Sequence, residues 1–344
     1  MLVQPDVVAI NDVDLCAKVE RCYRICYKSE DKMTGTSTED FLRRFILCND
    51  RNKHWSPLEH ARVEVEMPLS EWYLISTWQE IRGTSFLSMR VFDLDRDDLH
   101  STVEVSGNFR AWLEYITESK KEDNYHLKQL SQYVADALAE CYPEVFSPFS
   151  TGNLIRGITC NGECDDYQTF HITTTRDILQ EFARHRSLSF SVESTRYCNY
   201  GKRGMTFTLP YPYEWTDKVI DLGKYDTVQE AASFYLKKYG DKTDFYNMIR
   251  KIDNMEELYF LSTVFGEMVY DQMLSLGAKP QEARMVLPGA LKTEMMVTGT
   301  FDAWEHFLQL RLDKAAHPQI RILAEKIKSL LCEIHPEFAR RYEK

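Results

Sequence analysis

Residues 167–197 read YQTFHITTTRDILQEFARHRSLSFSVESTRY. YQTFHI predicts a strand, and TTTRDILQEFARHR predicts a helix behind it. Thr174 and Asp177 have the spacing of a capping box. The helix would then end on Arg184, His185 and Arg186. Cations at a helix C-terminus complement its dipole by about 0.3–1 kcal/mol each, which accounts for one basic cluster without any ligand. The residues that follow tip the balance towards an anion pocket. Ser187, Ser189, Ser191, Ser194 and Thr195 supply hydroxyls, and Arg196 adds a guanidinium. A chain that turns back after Ser189 brings Ser194 and Arg196 beside Arg184. A guanidinium fork with hydroxyls beside it is the usual protein answer to a phosphate monoester. Glu193 would orient an arginine or accept from a ligand's donors.

This pocket sits in an acidic protein. The 344 residues carry 42 Lys and Arg against 53 Asp and Glu, a formal net charge of -11. Such a surface argues against broad nucleic-acid binding, though not against one small anionic ligand. Hydrophobic residues make up 44% of the chain, enough for a packed core. Apolar runs are too short for a membrane span. MLVQPDVVAINDVD has no basic segment followed by an apolar one, so no secretory signal is expected. The nine cysteines are irregularly spaced, and Cys160 and Cys164 have no second pair to complete a zinc site. No metal is expected, and reduced thiols in the cytoplasm are the simplest expectation.

Upstream, DVDLCAKVERCYRICYK predicts a helix that opens the chain, with another over 38–48. HWSPLEH, residues 54–60, groups His54, Ser56, Glu59 and His60. It lacks the i, i+4 histidine face of a metalloprotease, so a helical turn capped by Ser56 is favoured over a metal site. A strand over 61–67, a helix over 71–81 and an acidic loop over 93–101 come next. Residues 105–116 read as a strand passing into a helix, and 126–142 as a helix. Residues 148–166 read as connector and 201–217 as loop. A long helix should start at Asp253–Glu256 and stop at Gly277. ALKTEMMVTGT predicts a strand, and DAWEHFLQLRLDK and IRILAEKIKSLL the last two helices.

VSGNFRAWLEYI (105–116) echoes VTGTFDAWEHFL (297–308), with Val, Gly, Phe, Ala and Trp in register. Two explanations stand: an old duplication with one copy keeping the site, or two similar strand-to-helix turns. No dinucleotide-binding GxGxxG, phosphate-binding GxxxxGKS or GxSxG is present. Cys198 has no partner base that the sequence singles out.

With these segments assembled, the chain resembles the flavin-dependent thymidylate synthases. That family's signature is Arg-His-Arg, seven residues, then Ser, continuing to Arg-Tyr. It is complete here from Arg184 through Ser194 to Tyr197. An upstream His-x-Ser/Thr-Pro-x-Glu-His matches HWSPLEH. Downstream, Arg284 precedes Leu-Pro, and a helix ends in Leu310-Arg311. The resemblance implies an α+β fold, a mixed sheet flanked by helices, over 1–344 as one catalytic domain. Residues 68–165 would be an insertion, possibly a degenerate internal repeat.

The implied reaction is reductive methylation of dUMP to dTMP. FAD is the cofactor, and NADPH and methylenetetrahydrofolate are co-substrates. By resemblance, Arg184, Glu193, Ser194, Arg196, Arg284 and Arg311 hold dUMP, with Arg284 supplied by a neighbouring subunit. Arg311 and Ser194 would be catalytic, Arg311 by stabilising charge on the pyrimidine. His54, Ser56, Glu59, His185, Arg186, Thr300 and His306 would contact FAD. The assembly would be a homotetramer with shared sites. The family pattern is broken at Glu181, usually Gln; at Ser191 and Val192, usually Asn-Glu; and at Thr300 and Asp302, usually Asn and Arg. Two alternatives follow from these departures. One is a related flavoenzyme acting at position 5 of another pyrimidine nucleotide. The other is a flavin- or nucleotide-binding homologue without catalysis.

Overall fold

A computed structural model describes residues 2–12, 14–34, 37–47, 55–83, 87–90, 101–153, 157–208 and 249–342. The expected acidic loop over 93–101 and loop over 201–217 fall mostly outside these, as does His54. The elements in chain order begin with β1 (Leu2–Val3), β2 (Asp6–Ile10), α1 (Leu15–Tyr27) and α2 (Ser37–Leu47), then a 3-10 turn over Ser56–His60. Next come β3 (Arg62–Pro68), α3 (Leu69–Arg82), β4 (Ser88–Arg90), β5 (Thr102–Asn108), α4 (Phe109–Ser119), α5 (Tyr125–Cys141) and α6 (Pro143–Phe146). The second stretch runs β6 (Thr159–Glu163), β7 (Tyr167–Thr175), α7 (Arg176–Phe182), β8 (Ser189–Val192), α8 (Tyr200–Arg203) and β9 (Phe207–Thr208). After the undescribed segment follow α9 (Met255–Ser275), α10 (Pro280–Ala283), β10 (Lys292–Thr300), α11 (Phe301–Arg311), α12 (Pro318–Ile334) and α13 (Pro336–Tyr342).

The architecture is α+β. One four-stranded sheet has the order β4-β5-β3-β6, another β2-β7-β10-β8, and both are antiparallel throughout. β1 and β9 add a short parallel pair. Val63, Val65 and Met67 alternate along β3 and point into one core with Val103, Val105, Trp112 and Leu138. Phe170 and Ile172 of β7 do the same with Val297, Trp304, Phe307 and Leu323. Each such side chain, when fully buried, contributes about 1.5–3 kcal/mol, so each sheet is welded to its own pair of helices.

α1 ties the sheets together. Lys18 Nζ donates to Glu163 Oε1 at 2.9 Å, at the end of β6, and to the Tyr167 hydroxyl at 3.0 Å, at the start of β7. On its other flank, Cys22 and Ile25 pack on Met296 of β10.

Several expectations need correction. A strand, β2, precedes the opening helix, and β6 lies inside the stretch expected to be connector. The helix expected from Thr173 is shorter at both ends. Thr173, Thr174 and Thr175 remain in β7, because these β-branched residues pair with Glu294, Thr293 and Lys292 of β10. The capping box does not form, since the cap is Thr175 and makes no side-chain cap bond. The Ser56–His60 turn likewise lacks its expected serine cap: Trp55 occupies that position, and Pro57 sits in the first turn. The long helix does start behind Asn254, whose side chain accepts from Glu256 N at 2.8 Å. Gly277, at φ +96°, stands just beyond its end, in the left-handed region where glycine is favoured.

Candidate active site

α7 ends at Phe182, so Arg184, His185 and Arg186 lie in the turn between α7 and β8. Helical geometry therefore does not fan them around a helix end. His185 turns inward and is buried, while Arg184 and Arg186 face solvent. Among the described residues neither arginine takes part in an ion pair, despite the acidity of the chain.

His185 is held by Arg311, from the end of α11. Arg311 Nε donates to His185 Nε2 at 2.8 Å; Nη1 donates to Glu181 Oε2 at 2.5 Å, and Nη2 to the Glu181 carbonyl at 2.8 Å. His185 Nε2 is thus an acceptor and the ring is neutral. Burial lowers its pKa to about 4, helped by the adjacent Arg311 and His306. The His306 ring stands 6.1 Å away, edge-on, and is exposed. Glu181, which replaces the family's usual Gln, is what fixes the guanidinium. Arg311 was expected at the pyrimidine; each of its three nitrogens already has a protein acceptor.

A second group gathers beyond β8. Ser194 N donates to the Cys26 carbonyl at 3.0 Å, which fixes the segment against α1. Arg284 Nη1 reaches Thr195 Oγ1 at 3.3 Å, in the same chain. The guanidinium expected from a neighbouring subunit therefore already sits against the Ser194–Arg196 segment. Arg196 is exposed, with its guanidinium 5.5 Å from the Tyr197 ring centroid. Arg284 thus reaches the Ser194–Arg196 segment, and β8 links that segment to the turn that carries His185.

Glu193 is placed differently from expectation. It is 2% exposed and points away from solvent. The Tyr200 hydroxyl donates to its Oε1 at 2.9 Å, and Lys292 and Lys28 lie 3.4 and 3.8 Å from Oε2. Lys28 and Lys292 also pair with Glu294, whose carboxyl is held well below the usual range. Burial opposes that ionisation but is outweighed by hydrogen bonds from His171, Lys28 and Lys292. This buried ionic knot anchors the loop after β8 and was not foreseen. Its one signal was Lys292 and Glu294, two residues apart on one face of a strand.

The expected FAD contacts divide. Ser56 and Glu59 lie on the turn before β3. Arg110 Nη1 donates to Glu59 Oε1 at 2.6 Å, so this carboxylate is paired within its own half of the chain. Thr300 caps α11, its hydroxyl accepting from Ala303 N at 3.4 Å, which is a structural role. His60, expected only as part of a capped turn, joins the two sheets. Its Nδ1 lies 2.7 Å from Thr298 Oγ1 and its Nε2 3.0 Å from Ser191 Oγ. Fully buried and close to Lys18, it has its pKa lowered to about 3 and stays neutral.

Cys198 is buried, and burial together with nearby Glu193 raises its thiol pKa to about 11. A thiolate nucleophile is disfavoured there. No helix among the described residues is long and apolar enough to cross a membrane.

The Thy1 family, described as "Thymidylate synthase complementing protein", matches residues 167–337. A probable flavin-dependent thymidylate synthase of Mycobacterium phage L5 is 27% identical over 232 residues, 64% of this chain and 84% of that protein. The flavin-dependent thymidylate synthase of Aquifex aeolicus is 24% identical over 329 residues, 91% of this chain and 93% of that protein. A UMP/dUMP methylase of Streptomyces cacaoi aligns over 96% of this chain and 92% of its own, at 16% identity and a TM-score of 0.37, too loose to carry an argument. The signature from Arg184 to Tyr197 lies inside the matched region, and with these relatives it decides the matter: the chain belongs to the flavin-dependent thymidylate synthase family.

Proposed function

We propose that this protein catalyses the reductive methylation of dUMP to dTMP, with FAD as cofactor and NADPH and methylenetetrahydrofolate as co-substrates, in the cytoplasm. The observation that carries this is the set of exposed guanidiniums on either side of β8, with Arg184 and Arg186 before the strand, Arg196 beyond it and Arg284 against Thr195, in a chain of net charge -11. They are suited to phosphate-bearing ligands, and both FAD and dUMP bear phosphate. The resemblance implies a homotetramer.

His185, Arg186 and His306, with Ser56 and Glu59, would hold FAD, which supplies the hydride chemistry when bound. Arg196, Arg284 and Ser194 bind the nucleotide phosphate, and Arg184 adds positive charge at the other end of β8. Their bonds act alike on ground state and transition state, so they set affinity. Arg311 holds His185 neutral, with Nε2 as acceptor, and so fixes which ring nitrogen carries the proton. The buried Glu193 supports the loop through Tyr200 and the two lysines. No cysteine is required as a nucleophile.

The test is tritium release from dUMP labelled at position 5, with FAD, NADPH and methylenetetrahydrofolate, and with UMP and dCMP in parallel. Release from dUMP alone is expected. Release from UMP or dCMP in its place moves the assignment to another nucleotide, and a yellow, ligand-binding protein that releases none is a binding homologue. Arg311→Lys keeps the charge but loses the fork that grips Glu181 and His185. It is expected to cut turnover more than dUMP affinity.

A further inference from the structure

The two sheets are built to one plan. β3, α3, β4, β5, α4 and α5 come in the same order as β7, α7, β8, β10, α11 and α12, the second series carrying α8, β9, α9 and α10 between β8 and β10. The registers correspond. Arg62 pairs with Asn108 as Tyr167 pairs with Thr300, and Ser88 with Ser106 as Ser189 with Thr298. Asn108 and Thr300 cap the helices that follow. Phe109 N donates to the Ala61 carbonyl at 2.9 Å, and Phe301 N to the Asp166 carbonyl at 2.8 Å. A Cβ on Gly107 would lie 2.3 Å from Leu87 Cδ2 and 3.2 Å from Trp112 Nε1. One on Gly299 would lie 2.3 Å from Leu188 Cδ2 and 3.3 Å from Trp304 Nε1. The same three-residue contact thus occurs twice, with the same atoms. Two unrelated strand-to-helix turns have no reason to share it.

The edge strands are exchanged. β2 lies ahead of the first unit in sequence but pairs with β7 of the second; β6 lies ahead of the second but pairs with β3 of the first. Two copies that swap their leading arms form one interlocked body.

The site residues are divided between the copies. Matched through Leu87 and Leu188, QEIRGTSFLS of the first copy stands against QEFARHRSLS of the second. Gly83, Thr84 and Ser85 replace Arg184, His185 and Arg186, while Asp93 and Asp95 replace Ser194 and Arg196. Matched through Gly107 and Gly299, Ser119 replaces Arg311; it is buried and bonds only backbone carbonyls of its own helix. The first copy's counterpart of the His185 cluster is a cavity of about 450 Å³ lined by Trp78, Arg82, Glu114, Tyr115, Glu118 and Lys121. Its Arg82 is already paired with Glu118 and Glu122. The loss also runs the other way. Matched through Ala61 and Asp166, the second copy has Thr159, Asn161, Cys164 and Asp165 where the first has His54, Ser56, Glu59 and His60. These complementary remnants meet where His60 bridges Thr298 and Ser191.

We propose that residues 62–141 and 167–334 are two fused copies of one unit that have lost complementary parts of a ligand site. One composite site per chain remains, built from the Ser56–His60 turn that leads into the first copy and the arginines of the second. Residues 68–165 are then not an insertion but the larger part of the first copy with the link to the second. The identity of the ligands rests on the reading as a flavin-dependent thymidylate synthase.

The test counts ligands on the intact chain. FAD is titrated by its fluorescence and dUMP by calorimetry, and one equivalent of each per chain is expected. Ser56→Ala with Glu59→Gln in the first copy, and Arg186→Ala in the second, should each weaken FAD binding about tenfold or more. Arg82→Ala with Glu118→Ala in the cavity should leave it unchanged. Mixing the 56/59 variant with the Arg186 variant, after demonstrated subunit exchange, should restore no FAD affinity. Two equivalents per chain, full FAD affinity in the 56/59 variant, or recovery on mixing overturns the composite site. One equivalent of each ligand without methylation overturns the assigned reaction and leaves the composite site standing. A chain that binds neither ligand overturns both.

Discussion

Residues 62–141 and 167–334 share strand order, register, capping and a glycine–leucine–tryptophan contact, yet differ in nearly every group that can bind an anion. Where the second stretch has Arg311 gripping His185 and Glu181, the first has Ser119 bonded back to its own helix. Where the second has exposed arginines, the first has ion pairs closed on themselves, such as Arg82 with Glu118 and Glu122. The framework residues are apolar and fill space, so losing them costs the fold. The exposed arginines fill no space in the core, so losing them leaves the framework standing. One framework can therefore outlive its chemistry.

The sharpest way to break this comparison is to remove matched charges. Arg196→Ala should weaken dUMP binding about ten- to a hundredfold, the worth of about 1.5–3 kcal/mol for a charge-assisted bond set. Asp95→Ala, at the matching position of the first stretch, should leave it unchanged. Equal effects in a calorimetric titration would end the contrast.

A smaller effect concerns the joint between the halves. His60 is neutral when folded, with a pKa of about 3, against about 6.5 in an unfolded chain. Below about pH 6.5 the unfolded state takes up a proton that the folded state refuses. Stability is therefore full above that pH and falls as pH drops towards 3, by about 1.4 kcal/mol per unit at most. His185, with a pKa of about 4, acts in the same direction. Urea unfolding at pH 7 and pH 5 should show a lower midpoint at pH 5, and His60→Gln should flatten part of that slope. A wild-type midpoint that does not move would mean that neither ring is held neutral.

The paired tryptophans sharpen the comparison at the level of one hydrogen bond. Both are fully buried, but Trp304 Nε1 donates to the Gln168 carbonyl at 3.0 Å, whereas Trp112 Nε1 has no partner among the described residues. Both changes to Phe should destabilise through lost packing. Trp304→Phe should cost about 1 kcal/mol more, the net worth of its bond. Thermal or denaturant midpoints of the two variants decide it.

The smallest change is expected from Cys198→Ala. Its buried thiol, pKa about 11, makes a poor nucleophile, so turnover per folded, FAD-loaded protein should stay within about threefold, under about 1 kcal/mol in barrier. Complete loss with FAD still bound would make Cys198 a participant in the reaction.

The sequence by itself determined the family signature and the candidate anion-binding residues, because Arg184 to Tyr197 is one continuous segment whose spacing is visible without a fold. It also determined most elements of either half, since β3, α4, β10 and α12 carry their apolar period in their own residues. The echo of 105–116 in 297–308 was legible too, but not its meaning. Only the tertiary structure decided that Thr173 to Thr175 stay in a strand, because the partner in β10 is over a hundred residues away. It also decided that Glu193 is an internal anchor, because its lysines come from α1's end and from β10. The exchange of β2 and β6 left no local trace, since an edge strand can be satisfied by any partner that offers a free row of backbone groups. Which sheet each arm joins depends on where α1 and the Ser56–His60 turn carry the chain, and that is set by packing between residues far apart in sequence.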